Sequence, residues 1–183
     1  MCIERLAARY DIDVVYRHFP LHPETPAEGL SLEELFAGRN LDIPAMQAAM
    51  QQRMDEQGLA YAERSHTYNS RLAQELGKWA DQQPGGQVLH EALFRAYFVD
   101  NVNLAEVENL VSLVAATGLN VDDARESLAS RRFRDDVDAD WQRSAELGIT
   151  GVPTYIAGEQ GVVGAQPLEV LERLVSAAGA VQR

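Results

Sequence analysis

The chain has 183 residues, 46% apolar and 24% charged, which suits a globular fold with a sizeable core and argues against wholesale disorder. Twenty-eight acidic against 16 basic side chains give a formal net charge of −12, so neither nucleic acid nor an anionic membrane, which both need a basic patch, is an expected partner. No apolar run is long enough to span a bilayer and no long apolar leader is visible, so a cytoplasmic address is expected; the single cysteine, Cys2, excludes an internal disulfide and multi-cysteine zinc patterns.

Cys2 to Tyr10 reads as the tail of an amphipathic helix, with Ile3, Leu6 and Tyr10 on one face. Asp11-Ile12-Asp13 then turns the chain into Val14-Val15-Tyr16-Arg17-His18-Phe19, β-branched and aromatic, which predicts a strand. Pro20, Pro23 and Pro26 forbid regular structure for the next few residues. From about Ser31 to Leu147 the pattern is almost wholly helical. Ser31 with Glu34 three residues on is a capping-box signature. Predicted helices follow at Ile43–Gln57, Ser65–Ala80, Gln87–Val99 and Ala105–Ala116, with a last pair inside Val121–Leu147. Breaks fall at Pro84-Gly85-Gly86 and Gly118-Leu119-Asn120. Met46, Met50 and Met54, four apart, read as core packing.

Several patterns fail on inspection. His18 and His22 share no helical face, so no metal site is expected. Asp136-Val137-Asp138-Ala139-Asp140 imitates the opening of a calcium loop. Trp141 then stands where glycine is needed and Leu147 where the bidentate glutamate belongs, so a solvated helix face is expected. Gly158, Gly161 and Gly164 are not a dinucleotide fingerprint, and no Gly-x-Ser-x-Gly elbow exists.

The stretch Gly148-Ile149-Thr150-Gly151-Val152-Pro153-Thr154-Tyr155-Ile156 places a proline at the mouth of a strand, where it needs a positional reason because it cannot donate to a ladder. A cis Val152–Pro153 bond is such a reason, since cis costs roughly 0.5–1 kcal/mol at X-Pro. It would leave the Val152 N–H and C=O pointing outward, free to pair with an extended ligand. Thr154-Tyr155-Ile156 and Val162-Val163 read as a hairpin, and Pro167 opens a helix through Leu168, Leu171, Leu174 and Val175.

Helix, Gly-Val-Pro loop, hairpin, Gly-Ala-Gln and amphipathic helix, in that order, resemble the C-terminal half of a thioredoxin-like domain. More narrowly the chain resembles the DsbA-like thiol oxidoreductase superfamily, in the branch that includes polyketide-associated dithiol–disulfide isomerases. Glutathione-dependent 2-hydroxychromene-2-carboxylate isomerases and kappa-class glutathione transferases are its cousins. Tyr16-Arg17-His18-Phe19-Pro20-Leu21-His22-Pro23, Tyr68 to Ala73 and Glu91 to Phe98 resemble further family motifs. The resemblance implies an α/β, thioredoxin-like fold with a large all-helical insertion. Residues 1–28 and 146–183 would form the discontinuous thioredoxin-like domain and residues 29–145 the insertion.

The first strand and the Cys-x-x-Cys of that family are missing from these residues. The strand is expected from upstream residues, from a partner chain in a homodimer, or from a rearranged sheet, because a central strand edge left unpaired is costly. The implied function is thiol–disulfide exchange or isomerisation on a thiol or disulfide substrate, with the cysteine pair upstream or lost. Cys2, near a helix N-terminus, is the one candidate nucleophile present. Gly151, Val152, Pro153 and Gln166, with Asn69 and Ser70, are the implied substrate-binding residues. No cofactor is required, although glutathione could bind through Val152, Pro153 and the Gly164-Ala165-Gln166 turn. Many kappa-class relatives carry an acid near Gln166. Two alternatives stay open: a glutathione-dependent isomerase or transferase on a small aromatic substrate, and a redox-inactive binding module of the same fold.

Overall fold

The computed structural model describes residues 2–183, with side chains from Ile3 onward. It opens with α1 (Cys2–Arg9) and β1 (Tyr10–Asp11), then β2 (Leu30–Ser31), α2 (Leu32–Leu35), α3 (Ile43–Glu56) and β3 (His66–Thr67). Five helices follow: α4 (Arg71–Ala80), α5 (Gln87–Phe98), α6 (Val107–Thr117), α7 (Val121–Ser130) and α8 (Arg134–Glu146). The chain ends with β4 (Thr154–Ala157), β5 (Gln160–Val163), α9 (Leu168–Ala177) and β6 (Val181–Gln182).

These elements fall into two compact units, one running to Leu21 and resuming at Ala139, the other spanning His22–Asp138. Each boundary lies seven residues before its expected place, at 21 rather than 28 and at 138 rather than 145. The first shift has a local cause. Asn69 Nδ2 donates to the carbonyls of Pro23 (3.3 Å) and Thr25 (2.7 Å), which ties the proline-rich stretch to the helical unit. The second boundary falls inside α8.

In the helical unit, α4 to α7 bury Leu76, Trp79, Leu89, Leu110 and Val114 completely. Ser31 caps α2 as its sequence predicts: its hydroxyl accepts from Glu34 N–H, and the Glu34 carboxylate accepts from Ser31 N–H. The helix expected over Ser65–Ala80 begins only at Arg71, because His66 and Thr67 pair antiparallel with Ser31 and Leu30. The methionine stripe is also corrected. No residue of α3 is buried, and Met46 and Met50 are exposed, so these side chains are not core.

In the other unit, Leu6 of α1 and Tyr10 of β1 pack against Leu168, Leu171 and Val175 of α9, with Tyr155, Ala157 and Val162 of the hairpin closing the cluster. The hairpin pairs antiparallel from Thr154↔Val163 to Ala157↔Gln160. Beside it β1 pairs with β6 alone. The predicted strand Val14–Phe19 does not form, since residues 12–20 carry no regular structure. Their β propensity is real, but a strand needs a neighbour to take its backbone hydrogen bonds, and none of the described residues supplies one.

Candidate open strand edge beside the Val-Pro loop

The loop that the sequence singled out lies at the head of β4. The Val152–Pro153 peptide bond is cis. The Gly151 carbonyl accepts from Thr154 Oγ1 at 2.7 Å, which closes the loop on itself. Neither the Val152 N–H nor its C=O has a partner among the described residues, and the side chain is 52% exposed.

Ladder geometry shows which way the rest of β4 faces. Gly164 N–H donates to Pro153 O at 2.8 Å, so Pro153, Tyr155 and Ala157 turn their main-chain groups toward β5. Thr154 and Ile156 therefore turn theirs to the opposite edge, where no strand among the described residues pairs with them. That edge borders a cavity of about 880 Å³. Val14 to Arg17 line it on another side, Ile3 and Leu6 of α1 and Leu171, Leu174 and Val175 of α9 form its apolar walls, and Val152 and Pro153 stand at its rim. Asp13 to Arg17 have no backbone hydrogen-bond partner among the described residues, and Val15 and Tyr16 are 67% and 61% exposed. Two runs of backbone without strand partners among the described residues thus border one apolar slot.

Asp140 anchors the irregular segment. Its carboxylate is buried and accepts from Arg17 Nη1 at 2.9 Å and from the His18 N–H at 3.0 Å. This corrects the solvated-face reading of Asp136–Asp140: Val137 and Asp140 are both buried, and only the remaining acids face water. The signal was legible, because Phe133, Val137, Asp140 and Ser144 follow a four-three-four spacing along one helix face, and all four are buried.

Gln166 belongs to the same unit. Its amide Nε2 donates to Val163 O at 2.6 Å, so the side chain folds back on the hairpin it follows. The Cys2 side chain lies outside the described residues; its backbone begins α1. Asn69 and Ser70 belong to the helical unit. Asn69 spends its amide nitrogen on Pro23 and Thr25 and accepts from the Arg71 N–H at 2.9 Å. Ser70 is exposed, flanks α4, and accepts from Gln74 Nε2 at 3.1 Å. Behind them Glu75 is buried between two guanidinium groups, with Arg71 Nε at 2.6 Å and Arg131 Nη2 at 2.6 Å. Burial alone would raise the Glu75 pKa; hydrogen bonds from Arg131 and Arg71 outweigh it and hold the carboxyl below its usual range. Glu75 escaped the sequence reading because a carboxylate on an apolar helix stripe announces neither its depth nor its partners.

Comparison with known proteins accords with this geometry. A family model described as a DSBA-like thioredoxin domain matches residues 1–176. The crystal structure of a "probable DsbA oxidoreductase" from Streptomyces coelicolor is similar at a TM-score of 0.85 and 28% identity, over 97% of this chain and 81% of that one. A chain from Nitrosomonas europaea, 17% identical with a TM-score of 0.62, shares the fold over 81% of this chain and 75% of its own. The uncharacterized protein YwbO of Bacillus subtilis is 29% identical over 117 residues, which is 61% of this chain and only 56% of that relative's length.

Proposed function

From the chain's membership of the DSBA-like thioredoxin domain family, we propose that it is a thiol–disulfide oxidoreductase or isomerase whose substrate docks on the Val152–Pro153 loop. One observation carries this reading: the Val152 N–H and C=O have no partner among the described residues and stand beside an apolar slot, where an extended thiol or disulfide substrate finds hydrogen bonds for its backbone. Exchange also needs a thiolate attacking a disulfide sulfur, and a helix N-terminus lowers a thiol pKa and so supplies thiolate. Here that helix is α1. The attacking pair is expected in a segment upstream of residue 1 that would run along the slot into α1, or else is lost. Cys2 is the candidate nucleophile among the residues present. A cytoplasmic setting and a requirement for no cofactor belong to the same proposal.

The test is the reduction of insulin by dithiothreitol, run on the 183-residue chain and on a version extended by its upstream codons. Acceleration by the extended form alone supports the proposal with the pair upstream. Acceleration by the shorter chain that vanishes in Cys2→Ser assigns the chemistry to Cys2. Inactivity of both forms removes the catalytic reading, and peptide binding unchanged by Cys2→Ser would then identify a binding module. A calorimetric titration with glutathione separates the third case, in which the Val152 backbone pairs with that tripeptide.

A further inference from the structure

One buried carboxylate, Asp140, reaches both sides of the slot. The side chain has no exposed surface, whereas that of Arg17, whose Nη1 donates to Oδ1 at 2.9 Å, is 60% exposed. The other oxygen, Oδ2, accepts from the His18 N–H at 3.0 Å. Asp140 thus holds two successive residues at the end of the run that lines the slot. The start of that run is held as well: Asp11 pairs with Val181 across β1 and β6, and Ile12 packs against the cluster of Leu6 and Leu171. Between these anchors the backbone of Asp13 to Tyr16 has no hydrogen-bond partner among the described residues.

Asp140 also belongs to the helix that leads into the Val152–Pro153 loop. Its carbonyl accepts from Ser144 Oγ at 3.0 Å, and the Ser144 carbonyl accepts from the Ile149 N–H at 2.9 Å, so the chain is fixed from Asp140 almost to the loop. Ser144, Leu147 and Ile149 line the same cavity as Val14 to Arg17 and Val152. Burying a carboxylate costs free energy, and a buried ion pair often stabilises a fold no more than an apolar side chain of similar volume. What the carboxylate supplies and an apolar group does not is direction: two oxygens in one plane, each taken by a different donor.

We infer that Asp140 is the positioning residue of the slot: through Arg17 and the His18 N–H it holds the Asp13–Tyr16 backbone at the spacing from the Val152 loop that an extended substrate segment requires. This role rests on the proposed docking at Val152 and names the residue that keeps the opposite wall in place for it.

Amide hydrogen exchange on the 183-residue chain reads the positioning without any thiol chemistry. In Asp140→Asn one acceptor oxygen and the charge are lost, so the His18 amide should exchange about tenfold faster. The Tyr155 and Val162 amides, bonded across the hairpin of the same unit, should keep the parent rate. Insulin reduction, in whichever form of the chain is active, reads the consequence. Asp140→Asn and Arg17→Gln should each raise KM about tenfold and leave kcat within about twofold, and Arg17→Lys, which keeps the charge, should recover most of the loss. A chain that is merely destabilised would lose kcat instead, because fewer molecules are folded. An unchanged His18 rate in Asp140→Asn, hairpin amides that speed up as much as His18, or a KM that stays at the parent value overturns the inference. If the parent reduces no insulin in either form, the proposed function is what fails, and the exchange rates still decide whether Asp140 holds this wall.

Discussion

The two units bury their apolar side chains with unequal success. In the helical unit Leu76, Trp79, Leu89, Leu110 and Val114 lose all their exposure, while in the other unit Val15, Tyr16 and Ile156 remain exposed around a cavity of about 880 Å³. The difference follows from how each kind of element satisfies its backbone. A helix closes its hydrogen bonds within itself, so α4 to α7 need only apolar faces that match. A strand needs a neighbour, and among the described residues none pairs with the outer edge of Thr154 and Ile156 or with Asp13–Arg17.

That contrast can be broken at its strongest point first. Trp79→Ala should cost about 4 kcal/mol in denaturant unfolding, since it empties a fully buried site and leaves Asp123 without the indole N–H that donates to it at 2.6 Å. A loss below about 1 kcal/mol would mean that the helical core is far looser than its burial indicates.

Glu75→Ala comes next, at about 3 kcal/mol, because it takes the buried carboxylate away from Arg131 and leaves Arg71 with Asp138 as its remaining acid. The same group sets a pH dependence. Its folded pKa lies below its unfolded one, so its contribution is present above the ordinary glutamate pKa of about 4.3 and is lost as pH falls through the depressed folded value. Urea midpoints for the parent and for Glu75→Gln should therefore converge on acidification below about pH 4. Parallel curves would remove Glu75 as a contributor.

Leu171→Ala sharpens the comparison from the sheet side. Leu171 is buried on α9 yet also lines the cavity, so neighbouring atoms can relax toward the space left, and a loss of about 2 kcal/mol is expected, the low end for this substitution. A loss matching that of Trp79→Ala would show that the slot is packed in solution. Smallest of all, Val15→Thr should change stability by no more than about 0.5 kcal/mol in the 183-residue chain, as an exposed residue does. In a chain whose slot is filled by a strand, the same change should cost visibly more.

Much of this molecule is legible in its residues. Ser31 and Glu34 announce a capping box and both of its hydrogen bonds form. The hairpin falls where Thr154-Tyr155-Ile156 and Val162-Val163 place it, and Leu168, Leu171, Leu174 and Val175 bury the expected face of α9. These are local matters, decided by caps, turns and side-chain period. The misses share another character. Met46 and Met50 have helical spacing but stay exposed, and Val14–Phe19 have strand chemistry but join no strand among the described residues. Asp140 reads as a surface acid until Arg17 and the His18 N–H are brought to it from 122 residues away or more.

The sequence by itself therefore determined the family, the order of the elements and the loop that turns at Val152, because each depends on neighbours a few residues apart. Only the tertiary structure decided which backbone groups lack a partner among the described residues and which carboxylates are enclosed by arginine. Those properties belong to pairs of distant residues, and pattern along a chain carries no information about a contact until the fold has made it.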